Sequence, residues 1–194
     1  MKLLLHVCCA PCSTYTLTKL RERDIDVSGY FYNPNIHPFR EFKRRLDTLK
    51  EFAIQSDFEL LTEDDYGLTE YLQKVVFNEK QRCSICYDMR LQKTAELAVK
   101  TGADAFTSTL LYSRYQNHEQ IISTGKSMGK KYGIEFFYED FRKGWQEGID
   151  KAIEMDLYRQ PYCGCIYSEQ ERYDNRLKKK LRKERKQAIS SLNS

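Results

Sequence analysis

The chain has 194 residues, of which 41% are hydrophobic and 31% are charged. This length suits a single domain with one substantial core, and the composition excludes global disorder. No apolar run approaches the ~20 residues that cross a bilayer. The apolar start at Met1 is only a few residues long and leads at once into cysteines, so we expect a first strand, a cytoplasmic location and no membrane contact.

The formal net charge of +4 is concentrated near the end of the chain. Residues 173–187 contain eight Lys or Arg and two acidic residues, a local charge of +6, so the rest of the chain carries −2. Such a block suits a polyanionic partner such as nucleic acid, and it suits equally a solvated helix that keeps the protein soluble.

Strand-like and helix-like segments alternate from the start of the chain. Short apolar runs and runs rich in β-formers predict strands, and apolar residues at helical spacing predict helices between them. In chain order we predict a strand at 2–7, a helix capped by Ser13 or Thr14 and ending at 20, a strand at 26–32, a helix at 39–54, a strand at 58–61, helices at 68–77 and 89–99, a strand at 105–110, a helix at 119–132, a strand at 134–138, a helix at 145–155 and a last helix from about 168.

This alternation predicts an α/β fold in which a mostly parallel sheet is sandwiched by helices. We expect one domain over 1–194, with 168–194 as a basic C-terminal helical extension. Reactive groups in such sheets gather at the carboxyl ends of the strands, where the first cysteines also lie.

All seven cysteines fall into three tight groups: Cys8, Cys9 and Cys12; Cys83 and Cys86; Cys163 and Cys165. Disulfides are rare in the cytosol, and dense cysteine pairs in an intracellular protein indicate metal or redox chemistry. The spacing favours an iron–sulfur centre over a four-thiolate zinc site and leaves both open. In the third group one residue separates the two cysteines, so a disulfide between them would be strained and easily reduced. This favours a catalytic dithiol, with metal ligation as the alternative.

Six motifs in order resemble those of the QueH-type epoxyqueuosine reductase family, and they cover nearly the whole chain. They are HVCCAPCS at 6–13, YNPNIHP at 32–38, RCSICY at 82–87 with Arg90 and Leu91, TSTL at 107–110, DFRK at 140–143, and YRQPYCGC at 158–165 with Tyr167 and Ser168. Arg114 is a departure from the family pattern, which often has proline at this position.

The resemblance implies a fold like that of the Rossmann-like nucleotide-hydrolase group and an oxidoreductase acting on tRNA. The reaction would be the reductive removal of the epoxide oxygen of epoxyqueuosine at the wobble position, which gives queuosine. The resemblance also implies an iron–sulfur cluster, expected to be [4Fe-4S], with an additional iron as an option, and an external electron donor. Matched motif by motif, the resemblance implies that the cluster ligands are Cys8, Cys9, Cys83 and Cys86 and that Cys12 is a further metal ligand. It implies that Cys163 and Cys165 form the redox pair.

The reaction also needs a proton donor, and the candidates are Asp140, Tyr162 and His6. Each has a structural alternative: Asp140, for example, could pair with Arg142, or it could bind iron through oxygen. Three other functions compete with the reductase: a zinc-stabilised RNA-binding module, a thiol–disulfide oxidoreductase acting on proteins, and an ATP-dependent tRNA thiolase. The last lacks support, because cysteines occupy the place of a phosphate loop after the first strand.

Overall fold

A computed structural model of the chain describes residues 1–192, with side chains through residue 184 and at Gln187. The strands are β1 (Lys2–His6), β2 (Asp26–Phe31), β3 (Leu60–Thr62), β4 (Ala105–Ser108) and β5 (Glu135–Phe136). The helices are α1 (Ala10–Arg21), α2 (Phe39–Gln55), α3 (Leu68–Val75), α4 (Arg82–Thr101), α5 (His118–Tyr132), α6 (Trp145–Glu154), α7 (Ile166–Tyr173) and α8 (Asn175–Leu192). Short 3-10 turns occupy Glu79–Gln81, Thr109–Tyr112 and Phe141–Gly144. Residues 193 and 194, the end of the predicted extension, lie outside the described residues.

The five strands form one parallel sheet in the order β3-β2-β1-β4-β5. Leu3 of β1 pairs with Val27 of β2 on one side and with Ala105 of β4 on the other. The chain therefore builds the sheet outward from β1 in one direction and then returns to its other side. Ligands of such sheets bind where the order reverses, which here is the carboxyl end of β1 and β4. The predicted α/β fold with a parallel sheet is confirmed.

Helices cover both faces of the sheet, which explains why the central strand β1 has a continuous apolar run. Leu3, Leu4 and Leu5 are all buried, although alternate residues of a strand point to opposite faces. Helix α1 packs against α2 and α6, and α4 packs against α5. Right-handed crossovers on the two sides of β1 place these two sets on opposite faces. Within residues 1–192, no helix is both long and apolar enough to cross a membrane.

Two helices begin earlier than predicted, and both changes affect cysteines. Helix α1 begins at Ala10 with Cys9 as its N-cap, and not near Ser13. Pro11 permits this, because proline in the first helical turn lacks only an N–H that has no helical partner anyway. Helix α4 begins at Arg82 and not at Met89, so the second cysteine pair lies in its first turns.

The predicted last helix is two helices. Asp174 separates α7 from α8 with an extended backbone, and its carboxylate accepts hydrogen bonds from the backbone N–H groups of Arg176 (2.9 Å) and Leu177 (3.0 Å). This is the capping geometry that begins a new helix. The basic segment therefore starts its own helix, α8, in which most of the described lysines and arginines are exposed.

Candidate active site

The first three cysteines meet at the carboxyl end of β1, beside β4. Cys8 follows the strand, Cys9 caps α1 and Cys12 lies in the first turns of that helix. Their sulfurs all lie within 4.8 Å of one another. The Sγ–Sγ distances are 3.0 Å for Cys9 and Cys12 and 3.7 Å for Cys8 and Cys9. Three convergent sulfurs at the switch point of an α/β sheet make a ready ligand set for a thiophilic metal.

The three thiols differ in pKa. Hydrogen bonds from Cys12 and Cys9, aided by Thr109, lower the pKa of Cys8 well below its usual range. Burial raises the pKa of Cys9, and the hydrogen bond to Cys8 raises that of Cys12. Cys8 is thus the thiol of the group that loses its proton most readily, and the thiol form is favoured at Cys9 and Cys12. A metal that binds all three must displace the remaining protons, so its affinity would increase with pH.

Two polar side chains from distant segments contact the three sulfurs. Thr109, just after β4, accepts a hydrogen bond from the backbone N–H of Cys8 (3.2 Å) and places its hydroxyl 3.5 Å from the Cys8 sulfur. The side-chain amide of Gln160 donates to the Cys9 sulfur at 2.9 Å and lies 3.7 Å from that of Cys12. Such contacts orient ligands and tune a bound metal. The sequence motifs contained both residues but assigned neither a role.

The other four cysteines form a second region. Cys86 and Cys165 pack together in a small apolar cluster with Tyr71, Val75 and Met89, which α3 and α4 contribute. Cys83 and Cys163, in contrast, are exposed. The structure therefore joins the second and third groups of the sequence. All seven cysteines are free thiols.

The sulfurs of Cys83 and Cys86 lie outside the 4.8 Å group that Cys8, Cys9 and Cys12 form. The assignment of Cys8, Cys9, Cys83 and Cys86 to one cluster, like the disulfide between Cys163 and Cys165, stays a prediction.

Arg90 links the two cysteine regions electrostatically. Its side chain is only 2% exposed, and its Nε donates to the Cys86 carbonyl at 3.2 Å, while Nη2 has no hydrogen-bond partner among the described residues. Burial alone would lower the pKa of Arg90, but Cys86, Cys163 and Cys8 outweigh it and raise that pKa. A buried charge needs compensation. In the described part of the chain no carboxylate pairs with this guanidinium. Of the three sulfurs, Cys8 is the one whose pKa is lowered, in part by Arg90, whereas burial raises the pKa of Cys86 to about 12 and also raises that of Cys163.

The loop that contains Cys163 is fixed by a buried arginine. Arg45 is 1% exposed and donates from Nη1 to the Cys163 carbonyl (2.8 Å) and from Nη2 to the Tyr162 carbonyl (3.0 Å). Its Nε donates to Glu41 at 2.7 Å. The Gly164 carbonyl in turn accepts from the backbone N–H of His37 at 2.8 Å. The CGC segment is therefore held by groups more than 100 residues away in sequence, which spacing alone does not reveal.

Gln116 supplies a further contact to the exposed thiol. Its side-chain N–H donates to the Cys163 sulfur at 3.0 Å, and its carbonyl accepts from the Tyr87 hydroxyl at 2.7 Å. The same hydroxyl accepts from the backbone N–H of Asn117 at 3.1 Å. Tyr87 thus determines which end of the Gln116 amide faces the sulfur. Sequence reasoning missed Gln116, because it lies outside the cysteine motifs.

The three candidate proton donors have structural partners of their own. Burial lowers the pKa of His6 to about 3; its Nε2 lies 3.2 Å from the Tyr32 carbonyl and its Nδ1 2.9 Å from the Ser108 hydroxyl, so it is a neutral core histidine. The hydroxyl of Tyr162 donates to the His37 carbonyl.

Asp140 caps the 3-10 turn at Phe141–Gly144 and pairs with Arg142 through both carboxylate oxygens, at 2.8 and 2.7 Å. These hydrogen bonds lower its pKa to about 2. An ionised carboxylate accepts protons and does not supply them, so the catalytic role predicted for Asp140 stays a prediction with a local structural role beside it.

The donor set fits an iron–sulfur group in its chemistry. Three sulfurs converge, a fourth and fifth thiol are available on α4, and unpaired buried polar atoms remain nearby at Arg90 Nη2 and Gln160 Oε1. Fe–S clusters take thiolate ligands, and their potential responds to hydrogen bonds at sulfur and to nearby charge. Three sulfurs alone also suit a zinc ion with an open position.

Comparison with known proteins identifies one family. The family model "Epoxyqueuosine reductase QueH" matches residues 3–171. A protein of Dehalococcoides mccartyi named epoxyqueuosine reductase QueH is 43% identical over 172 residues, which cover 89% of this chain and 94% of that protein. Its namesake from Thermotoga maritima is 37% identical over 180 residues, covering 87% and 91%. The namesake from Streptococcus pyogenes is 40% identical over 180 residues, covering 86% and 69%.

A solved structure shares the fold. The predicted subunit of a tRNA methyltransferase from Methanocaldococcus jannaschii superimposes with a TM-score of 0.52 over 78% of this chain and 75% of that one. At 14% sequence identity this likeness concerns the architecture alone.

Proposed function

The chain belongs to the epoxyqueuosine reductase QueH family and is an oxidoreductase, and from this premise we propose that it reduces epoxyqueuosine in tRNA to queuosine at a cysteine-held iron–sulfur centre. The observation that carries the proposal is the convergence of the Cys8, Cys9 and Cys12 sulfurs at the switch point of the sheet. We assign these three as metal ligands and retain Cys83 and Cys86 as further cluster ligands from α4.

The reaction breaks both carbon–oxygen bonds of the epoxide, forms a carbon–carbon double bond and releases the oxygen as water. It consumes two electrons and two protons. A bound iron–sulfur group would supply single-electron transfer and a Lewis-acidic iron. Within the chain, the Cys163 and Cys165 dithiol supplies two electrons and two protons when it closes to a disulfide. An external electron donor must then reduce that disulfide for the next turnover.

The arrangement of the dithiol supports this assignment. Cys163 is exposed and receives a hydrogen bond from Gln116, whereas Cys165 is buried as the N-cap of α7, with the Ser168 N–H 3.4 Å from its sulfur. The thiolate is the reactive form in thiol–disulfide exchange; the Gln116 donor lowers the pKa of Cys163, but burial outweighs it and raises that pKa on balance. An accessible attacking thiol beside a buried resolving thiol is the arrangement that a redox pair requires.

The tRNA partner is supported by charge. Helix α8 places exposed lysines and arginines, among them Lys179, Lys180 and Arg182, at the end of the fold. Contacts from such residues to phosphates would make RNA binding weaken steeply with salt. The family name of the relatives adds the modified nucleotide.

The test is the anaerobic, reductant-driven conversion of epoxyqueuosine-containing tRNA, followed by mass spectrometry of the digested nucleosides for loss of one oxygen atom. We expect turnover by the wild type, and we expect Cys163→Ser to retain iron and visible colour while losing turnover. Loss of colour in Cys163→Ser would instead assign this residue to the metal. Activity of the wild type on a generic small disulfide, without conversion of the tRNA, would favour a thiol–disulfide oxidoreductase.

A further inference from the structure

Two aromatic rings in segments that neighbour the cysteine regions are almost fully exposed. Phe77, after α3, is 93% exposed, and Tyr115, before α5, is 84% exposed. Tyr32 and Tyr87, the tyrosines of the YNPNIHP and RCSICY motifs, are both buried. Base stacking by these two is therefore excluded.

Phe77 is held in an unfavourable conformation. Its φ of 64° lies in the left-handed region, which is strained for a bulky residue. Hydrogen bonds fix the backbone there: the Phe77 N–H donates to Glu79 (3.1 Å), and the Asn78 N–H donates to the Val75 carbonyl (2.9 Å). The fold thus holds a large apolar ring out into solvent at a cost in stability, and such features cluster at functional sites.

Tyr115 is held from one side only. Its ring meets the ring of Trp145 edge to face, with centroids 5.5 Å apart and an interplanar angle of 78°. The guanidinium of Arg114 lies 5.8 Å from the centre of the same indole. The tyrosine ring is therefore oriented by its neighbour and leaves most of its surface free.

Residues next to both rings in the chain contact the cysteines. Val75, two residues before Phe77, packs with Cys86 and Cys165. Gln116, the residue after Tyr115, donates to the Cys163 sulfur. The segment that contains Phe77 thus reaches Cys165 through Val75, and the segment that contains Tyr115 reaches Cys163 through Gln116.

The side chains around the two rings are of the kinds that bind single-stranded RNA. Exposed cations, Lys80 and Arg114, accompany the rings, and aromatic faces beside cations bind unpaired bases and their phosphates. Two separate rings, with the partly exposed Val76 beside Phe77, offer too little contiguous apolar surface for a stable protein–protein interface, which buries about 800 Å² per partner.

We propose that Phe77 and Tyr115 stack on unpaired nucleobases of the tRNA anticodon loop on either side of the nucleotide that enters the cysteine site. This inference rests on the proposed function for its choice of RNA. Stacking on one aromatic ring contributes about 1–3 kcal/mol per base, which corresponds to an affinity change of roughly 5- to 150-fold.

The experiment measures the affinity of the full-length protein for a fluorescent, unmodified anticodon stem-loop RNA at fixed salt. We expect Phe77→Ala and Tyr115→Ala each to weaken binding by at least fivefold and Phe77→Tyr to retain it. Ile54→Ala is the matched control, because Ile54 on α2 is also 84% exposed, and it should bind like the wild type. A stem closed without unpaired bases should bind all variants equally.

Binding of both alanine variants within twofold of the wild type would overturn the proposal, as would a wild-type dimer that Phe77→Ala converts to a monomer. The readout is independent of catalysis. If the wild type binds the loop through these rings but does not convert epoxyqueuosine-containing tRNA, the proposed function fails and the stacking surface stands. If conversion succeeds and the ring variants bind normally, only the stacking surface fails.

Discussion

Replacement of Arg45 by methionine should destabilise the fold and release the dithiol loop. The buried guanidinium makes three charge-assisted hydrogen bonds, to the Cys163 and Tyr162 carbonyls and to Glu41. Hydrogen bonds to charged groups contribute about 1.5–3 kcal/mol each, and removing one partner of a buried ion pair costs about 3–5 kcal/mol. These terms overlap, so we expect a loss of about 3–5 kcal/mol in the free energy of unfolding.

The measurement is urea unfolding of the reduced, metal-free protein, together with the rate of alkylation of Cys163. Arg44→Met is the matched control. Arg44 is exposed and stacks over the Tyr158 ring at 3.6 Å, a contact that contributes about 0.5–1 kcal/mol at an exposed site. Alkylation should be faster in Arg45→Met only.

The Glu41 carboxylate, which loses its arginine partner in Arg45→Met, provides a second test. In Arg45→Met the Glu41 carboxylate remains buried with the Tyr158 hydroxyl as its partner, so Glu41→Gln in that background should recover part of the lost stability. A loss below about 1 kcal/mol in Arg45→Met, or no recovery in the double variant, would refute the reasoning that a buried charge fixes this loop.

Three further predictions concern Arg90, Gly164 and Asp140. Arg90→Met should lower the midpoint potential of the reconstituted protein by at least 59 mV, because a cation favours the more negative reduced state. That shift is a tenfold change in the equilibrium constant of a one-electron reduction. An unchanged potential in a spectroscopic redox titration would contradict this prediction. Gly164→Ala should cost more in urea unfolding than Gly102→Ala, because an added Cβ at Gly164 meets side-chain atoms 3.2 Å away and at Gly102 meets nothing within 4 Å; equal losses would contradict it. Asp140→Asn should cost up to about 1 kcal/mol near pH 6, after allowance for solvent screening. That difference should vanish as pH falls from about 4 through the folded pKa of about 2, because a depressed carboxyl pKa stabilises only while the group is ionised. A pH-independent difference would refute the ion-pair explanation.

The sequence predicted the layout of the fold because its strand and helix patterns are local. All five strands were expected within a few residues, as was a parallel sheet. The sequence did not predict the start of α4 at Arg82, because none of the first four residues of the helix is fully buried and its first buried position is a cysteine, Cys86. The break at Asp174 was also missed, because the charged residues on both sides of it suit one continuous solvated helix.

The thiols of the site could be predicted from the sequence, because a cysteine can bind metal or undergo redox chemistry wherever it lies in the fold. The side chains that surround them could not. Arg45, Gln116 and Gln160 reach the cysteines from 118, 47 and 151 residues away, and such contacts depend on tertiary packing that no local pattern records. Arg90 was visible in a motif, but its burial without a carboxylate partner required the structure.

The central claim is that the sulfurs gathered at the end of β1 hold a redox-active iron–sulfur group. Anaerobically purified protein should contain iron and acid-labile sulfide in similar amounts and show a broad visible absorption that bleaches on reduction. Cys9→Ser should lose both the iron and the absorption while Cys163→Ser keeps them. A colourless wild-type protein that binds one zinc ion and no sulfide would contradict the account.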